Sequence, residues 1–278
     1  MSERAPKANA MSDLSRSGQG FLAGSLIGTL GGLIGLGGAE FRLPVLVALF
    51  RLGTLEAVIL NKAMSLVVVS AALLFRGGAI SPDLLAPHLH VVLNLLAGSL
   101  VGAWWAAGHA IRLPRHWLDR IVMLLMLGLA LVMLAEAWSG RHAGSPAPLL
   151  EPGALRLLAG VLAGLLIGMV AALLGVAGGE LLIPTIVLLY GLDTKIAGSL
   201  SLMVSLPTMI VGFVRYARAQ AFAVLRQERP LMRGMAAGSV LGAALGGLLL
   251  GAVPTAWLTT LLGALLLVSA VKTFQHAR

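Results

Sequence analysis

The chain has 278 residues, 58% of them hydrophobic and only 11% charged, with a mean hydropathy of +0.95. That composition excludes an ordinary soluble domain of this length and calls for a lipid bilayer as solvent. The net charge of +9 does not mark a nucleic-acid binder, because the basic residues lie scattered between apolar runs, where positive loops orient a membrane protein; zero cysteines remove disulfides, thiolate chemistry and cysteine metal sites.

Residues 1–20 are small, polar and of mixed charge, which reads as a disordered cytoplasmic tail without a cleavable signal peptide. Apolar segments then fall at 21–50, 54–75, 88–109 and 117–138. After a Gly/Pro/Ser-rich connector at 139–154, four more follow at 155–190, 194–216, 231–250 and 254–274. The unbroken segments approach the ~20 residues that a spanning helix needs.

The two halves, 21–138 and 155–278, match at a constant offset of 140 positions, as between Gly35 and Gly175. Gly24/Gly164, Gly28/Gly168, Thr54/Thr194, Ser65/Ser205, Gly98/Gly238, Gly102/Gly242, Pro114/Pro254 and Trp117/Trp257 all stay in step. The expected fold is therefore an all-α polytopic membrane protein of two tandem homologous repeats, each with about four hydrophobic segments. Gly98-xxx-Gly102 and Gly238-xxx-Gly242 have the spacing that lets helix backbones approach closely.

Each repeat opens with a Gly/Pro-broken segment, Gly35-Leu36-Gly37-Gly38-Ala39-Glu40-Phe41-Arg42-Leu43-Pro44 and Gly175-Val176-Ala177-Gly178-Gly179-Glu180-Leu181-Leu182-Ile183-Pro184. A break inside a hydrophobic region exposes backbone groups that lipid cannot satisfy. The break is either a kink in one spanning helix, giving parallel repeats, or the tip of a re-entrant hairpin, giving inverted ones. Both topologies leave both termini in the cytoplasm.

A helix beginning just after a glycine turn offers unpaired N–H groups and partial positive charge, so Gly35, Gly37, Gly38, Gly175, Gly178 and Gly179 form a candidate cradle for a small anion. Tight helix crossing is the bland alternative for the same glycines. The helix after each break carries a polar stripe, Asn61 and Ser65 in one half and Ser201, Ser205 and Thr208 in the other, with Ser199 nearby. Lys62, inside its segment, either compensates substrate charge, pairs with Glu40 or snorkels to the surface. Arg42 is read either as an anion contact or as a surface group. Glu40 and Glu180 serve in proton coupling or in supporting the helix breaks, and Lys195 and Arg215 as interfacial anchors or, alternatively, as gate contacts.

The two glycine-proline stretches, together with Asp193-Thr194-Lys195-Ile196-Ala197-Gly198-Ser199-Leu200 and Gly212-Phe213-Val214-Arg215-Tyr216, resemble the TauE/SafE family of sulfite and organosulfonate exporters from residue 21 to the end. The resemblance implies a multi-pass permease of the bacterial inner membrane that moves sulfite, sulfonates or related small anions outward. The expected partners are that anion and the lipid bilayer, with a homodimer left open and no nucleic acid. Alternating access between the repeats is the expected mechanism. The alternative is a cation- or proton-conducting transporter using Glu40 and Glu180. Enzyme chemistry is not expected: there is no HExxH, and His88, His90, His109, His116, His142 and His276 sit in loops or at segment ends, so neither metal nor cofactor is assigned.

Overall fold

In lipid an apolar segment folds as a helix because only then does every backbone group find its partner within the segment. The computed structural model describes residues 5–34, 38–77, 85–139, 148–218 and 222–248, and the regular structure among them is helical throughout. In chain order these are α1 (Ala5–Ile34), α2 (Ala39–Ala48), α3 (Thr54–Gly77), α4 (Leu89–Ala110, entered through a 3-10 turn at Ala86–His88) and α5 (Arg115–Ser139). Then come α6 (Ala154–Leu174), α7 (Gly179–Tyr190), α8 (Thr194–Arg218), the short α9 (Ala223–Gln227) and α10 (Arg229–Leu248). Among the described residues three helices are long and apolar enough to cross a membrane, Ala86–Ala110, Ala154–Leu174 and Ile196–Ala217. The last apolar segment, 254–274, and connector residues 140–147 lie outside the described residues.

The N-terminal stretch departs from expectation. Residues 5–20 are the first turns of α1, where the sequence reading has a disordered tail. Partners distant in sequence account for this. Arg16 donates from Nε and Nη2 to the two carboxylate oxygens of Glu228, at 2.9 and 2.8 Å. Backbone packing against α10 continues along the same helix: a Cβ on Gly20 would lie 2.8 Å from the Leu231 carbonyl, and one on Gly234 would lie 2.1 Å from that of Ser17.

The glycine pairs that keep step at the 140-residue offset are close-packing positions. A Cβ on Gly28 in α1 would lie 2.4 Å from Ser239 O in α10, and one on Gly168 in α6 would lie 2.2 Å from Ser99 O in α4. Likewise Gly238 meets Phe21 O at 2.2 Å and Gly98 meets Val161 O at 1.9 Å. Any side chain at these four sites would force the helices apart, as the small-residue spacing anticipates. Each first-half contact has its counterpart at the same offset: α1 lies on α10, and α6 lies on α4.

At both interruptions the chain turns back on itself. A helix continued from Ile27 to Gly38 would separate the two by roughly 16 Å. Instead, a Cβ on Gly38 would sit 2.6 Å from Ile27 O. The second break repeats this, with Gly178 against Ile167 and Ala171. Gly38 and Gly178 have φ of 70° and 77°, left-handed values that cost a residue with a Cβ about 1–2 kcal/mol. At both breaks the half-helix thus begins beside the helix before it, and the opening residues Ala39, Glu40 and Glu180 are buried.

Candidate functional site

Neither α2 nor α7 has a side-chain hydrogen bond capping its N-terminus. Pro44 and Pro184 occupy the same place in the two half-helices and lack an N–H, so neither the Glu40 nor the Glu180 carbonyl receives its usual helical bond. Each half-helix therefore lacks one helical hydrogen bond near its start.

The structure brings the two interruptions together. From α3, the Asn61 amide donates to Ala39 O at the start of α2 (2.9 Å) and to Leu174 O at the end of α6 (3.2 Å). One side chain thus ties the first break to the second. The carboxyl groups of Glu40 and Glu180 also lie beside each other.

The end of α6 is held by three side chains from other helices. Lys62 Nζ donates to Ala171 O at 3.1 Å, the Tyr216 hydroxyl to Ala172 O at 3.1 Å, and Asn61 to Leu174 O. Ala171 O also accepts from the backbone N–H groups of Gly175 and Val176, and positive charge near such terminal carbonyls is favoured by the helix dipole. Lys62 is fully buried, with Cε and Nζ against Gly212, where a Cβ would lie 2.9 and 3.2 Å away. It neither snorkels nor pairs with Glu40; its ammonium caps the broken helix. Gly212 and Tyr216, quoted above only for the family resemblance, belong to this cap, and their bulk complementarity to Lys62 and α6 emerges only once α8 is packed.

Arg42 is the residue that the sequence reading left ambiguous. It is 0% exposed, on a half-helix buried on nearly every side. Its Nη2 donates to Ser65 Oγ at 2.9 Å, while Nε and Nη1 have no hydrogen-bond partner. Charge opposite in sign comes from Glu40, on the same half-helix. A buried guanidinium with idle donors is costly unless something completes it.

The serine stripe divides. Ser201 Oγ donates back to Gly198 O and lies 3.9 Å from where a Cβ on Gly179 would be, beside the second break. Ser205, buried at the position matching Ser65, has a hydroxyl without a partner. Thr208 turns to α4, where it meets Ser99 Oγ at 2.7 Å, so its hydroxyl is engaged in helix packing. Ser199 is buried on α8. Gly175 packs on Val58 O and the Lys62 amide nitrogen, a close-approach role at the end of α6. Gly35 and Gly37 lie outside the described residues, as does the side chain of Lys195. Arg215 lies over Trp104, 4.7 Å from the ring centroid.

The result is a buried polar centre between α2, α3, α7 and α8, with Asn61, Ser65, Ser205, Arg42 and the carboxyl pair around two half-helix starts. Among the described residues no group of three or more His, Asp or Glu gathers that could hold a metal ion. A family model described as Sulfite exporter TauE/SafE matches residues 20–273. Compared with curated proteins and with solved structures, the chain has no match.

Proposed function

Because the chain belongs to the TauE/SafE sulfite exporter family, whose members are membrane transporters, we propose that it exports small sulfur-containing oxyanions such as sulfite or organosulfonates. The observation that carries this is the meeting of the two breaks at one buried polar centre, where Asn61 bonds both to the start of α2 and to the end of α6. Amide dipoles directed at a common point stabilise negative charge, and a fixed positive side chain strengthens that preference.

The two halves are inverted repeats, and one moves against the other so that the centre opens to each side in turn. The reversal at each break and the paired contacts of α1 with α10 and α6 with α4 support that arrangement. The protein resides in the bacterial inner membrane with both termini in the cytoplasm. Flux of sulfite, sulfate, thiosulfate, sulfoacetate and taurine into and out of proteoliposomes, with and without a pH gradient, tests the proposal. Movement of none of them overturns the sulfur-anion assignment.

A second reading is favoured by the contact between Glu40 and Glu180. Two adjacent carboxyl groups at the centre suit a proton- or cation-conducting transporter. In that case Glu40→Gln and Glu180→Gln each abolish ion flux, whereas Lys62→Ala leaves it intact. On the anion reading Lys62→Ala lowers flux by loosening the α6 end, and a glutamine in either glutamate position alters only the dependence on pH.

A further inference from the structure

We propose that Arg42 is the ligand that receives the anion, resting on the transport reading above and making the site chemically one-sided. Three observations converge on it. The guanidinium is fully buried and yet Nε and Nη1 are unengaged. Ser65 on α3 holds Nη2 at 2.9 Å, fixing the group near the first turn of α2. One turn earlier on α3, Asn61 pins the Ala39 carbonyl and so sets the angle of α2.

The matching position in the other half is Leu182, so the second half contributes amides and serine hydroxyls but no cation there. Arg42 sits near Glu40 on the same half-helix, and Lys62, engaged on Ala171 O, borders the same centre. A guanidinium is permanently charged and presents several N–H donors in one plane, a pattern matched by an oxyanion with two or three oxygens on one atom. Sulfite and the sulfonate head group both have it. A halide offers no such set of oxygens, so the site prefers the oxyanions to chloride.

The test is calorimetric binding of sulfite to the purified full-length protein under anaerobic conditions, with sulfoacetate and chloride as comparisons. Arg42→Gln is expected to weaken sulfite binding roughly 10- to 150-fold, the loss of one charge-assisted interaction. Arg42→Lys keeps the charge but not the planar donors, and falls between. A buried charge removed alone can unbalance the fold, so Glu40→Gln/Arg42→Gln, which deletes one charge of each sign, serves as the folding control and is expected to run as a monodisperse protein that still fails to bind. Sulfite affinity as in the wild type for the double variant, or for Arg42→Gln, overturns the proposal and leaves Arg42 a counter-charge to the carboxyl pair. If the wild-type protein itself binds neither sulfite nor sulfoacetate, the transport reading falls and this one with it.

Discussion

The first break, Gly38 to Pro44, and the second, Gly178 to Pro184, share glycine, glutamate and proline positions but are built differently around them. α2 is buried on nearly all sides and carries Arg42; α7 buries mainly one face and has Leu182 instead. Asn61 bonds across two helices in the first half, while its counterpart Ser201 bonds within its own helix. The α6 end is capped by Lys62, and Leu202 stands at the matching position in the other half. The two breaks thus share the turn and differ in chemistry. Backbone reversal requires the same residue types twice, but a site for one small ligand requires its polar groups only once.

The sharpest way to break that comparison is at the turns. Gly38→Ala places its methyl 2.6 Å from Ile27 O, a backbone atom that cannot step aside, at a φ of 70°. It should cost ~3 kcal/mol or more, combining left-handed strain with overpacking. Gly178→Ala meets only the side chains of Ile167 and Ala171, at 3.2 and 3.3 Å. Its cost should be nearer the ~1–2 kcal/mol of the strain alone. Thermal unfolding in detergent ranks the two, and equal shifts would mean that the first turn is no more confined than the second.

Asn61→Ala comes next. It removes two hydrogen bonds to backbone carbonyls, an expected loss of ~2 kcal/mol, against ~1 kcal/mol or less for Ser201→Ala. Tyr216→Phe, which deletes only the bond to Ala172 O, should cost ~1 kcal/mol and leave sulfite affinity unchanged. Selective loss of binding by Tyr216→Phe would move the site toward the end of α6. The smallest stability effect belongs to Ser205→Ala, within ~0.5 kcal/mol because its hydroxyl has no partner to lose. Transport should nevertheless slow. Wild-type flux in this variant would confine the polar centre to the α3 side.

Much of the fold is visible in the residue pattern. Glycine spacing anticipates the close contacts of α1 with α10 and α4 with α6 because nothing but hydrogen fits between the backbones. Asn61, Ser65, Ser201 and Ser205 are legible as buried polar positions through their helical spacing. Less visible are the roles of Lys62 and Arg42. A buried cation is expensive wherever it lies, so the sequence marks both as significant without saying that one caps a helix end and the other keeps donors free. The helical residues 5–20 are illegible for a related reason: their support, Glu228 and the α10 backbone, is more than two hundred positions away.

By itself the sequence determined the lipid setting, the helical segments and the two glycine turns, since hydropathy and backbone sterics act locally. Only the tertiary structure decided which way the chain leaves each turn, that Glu40 meets Glu180, and which of two buried cations is already engaged. Those outcomes depend on partners brought near by packing between the halves, and a side chain's remaining hydrogen-bonding capacity exists only relative to such partners.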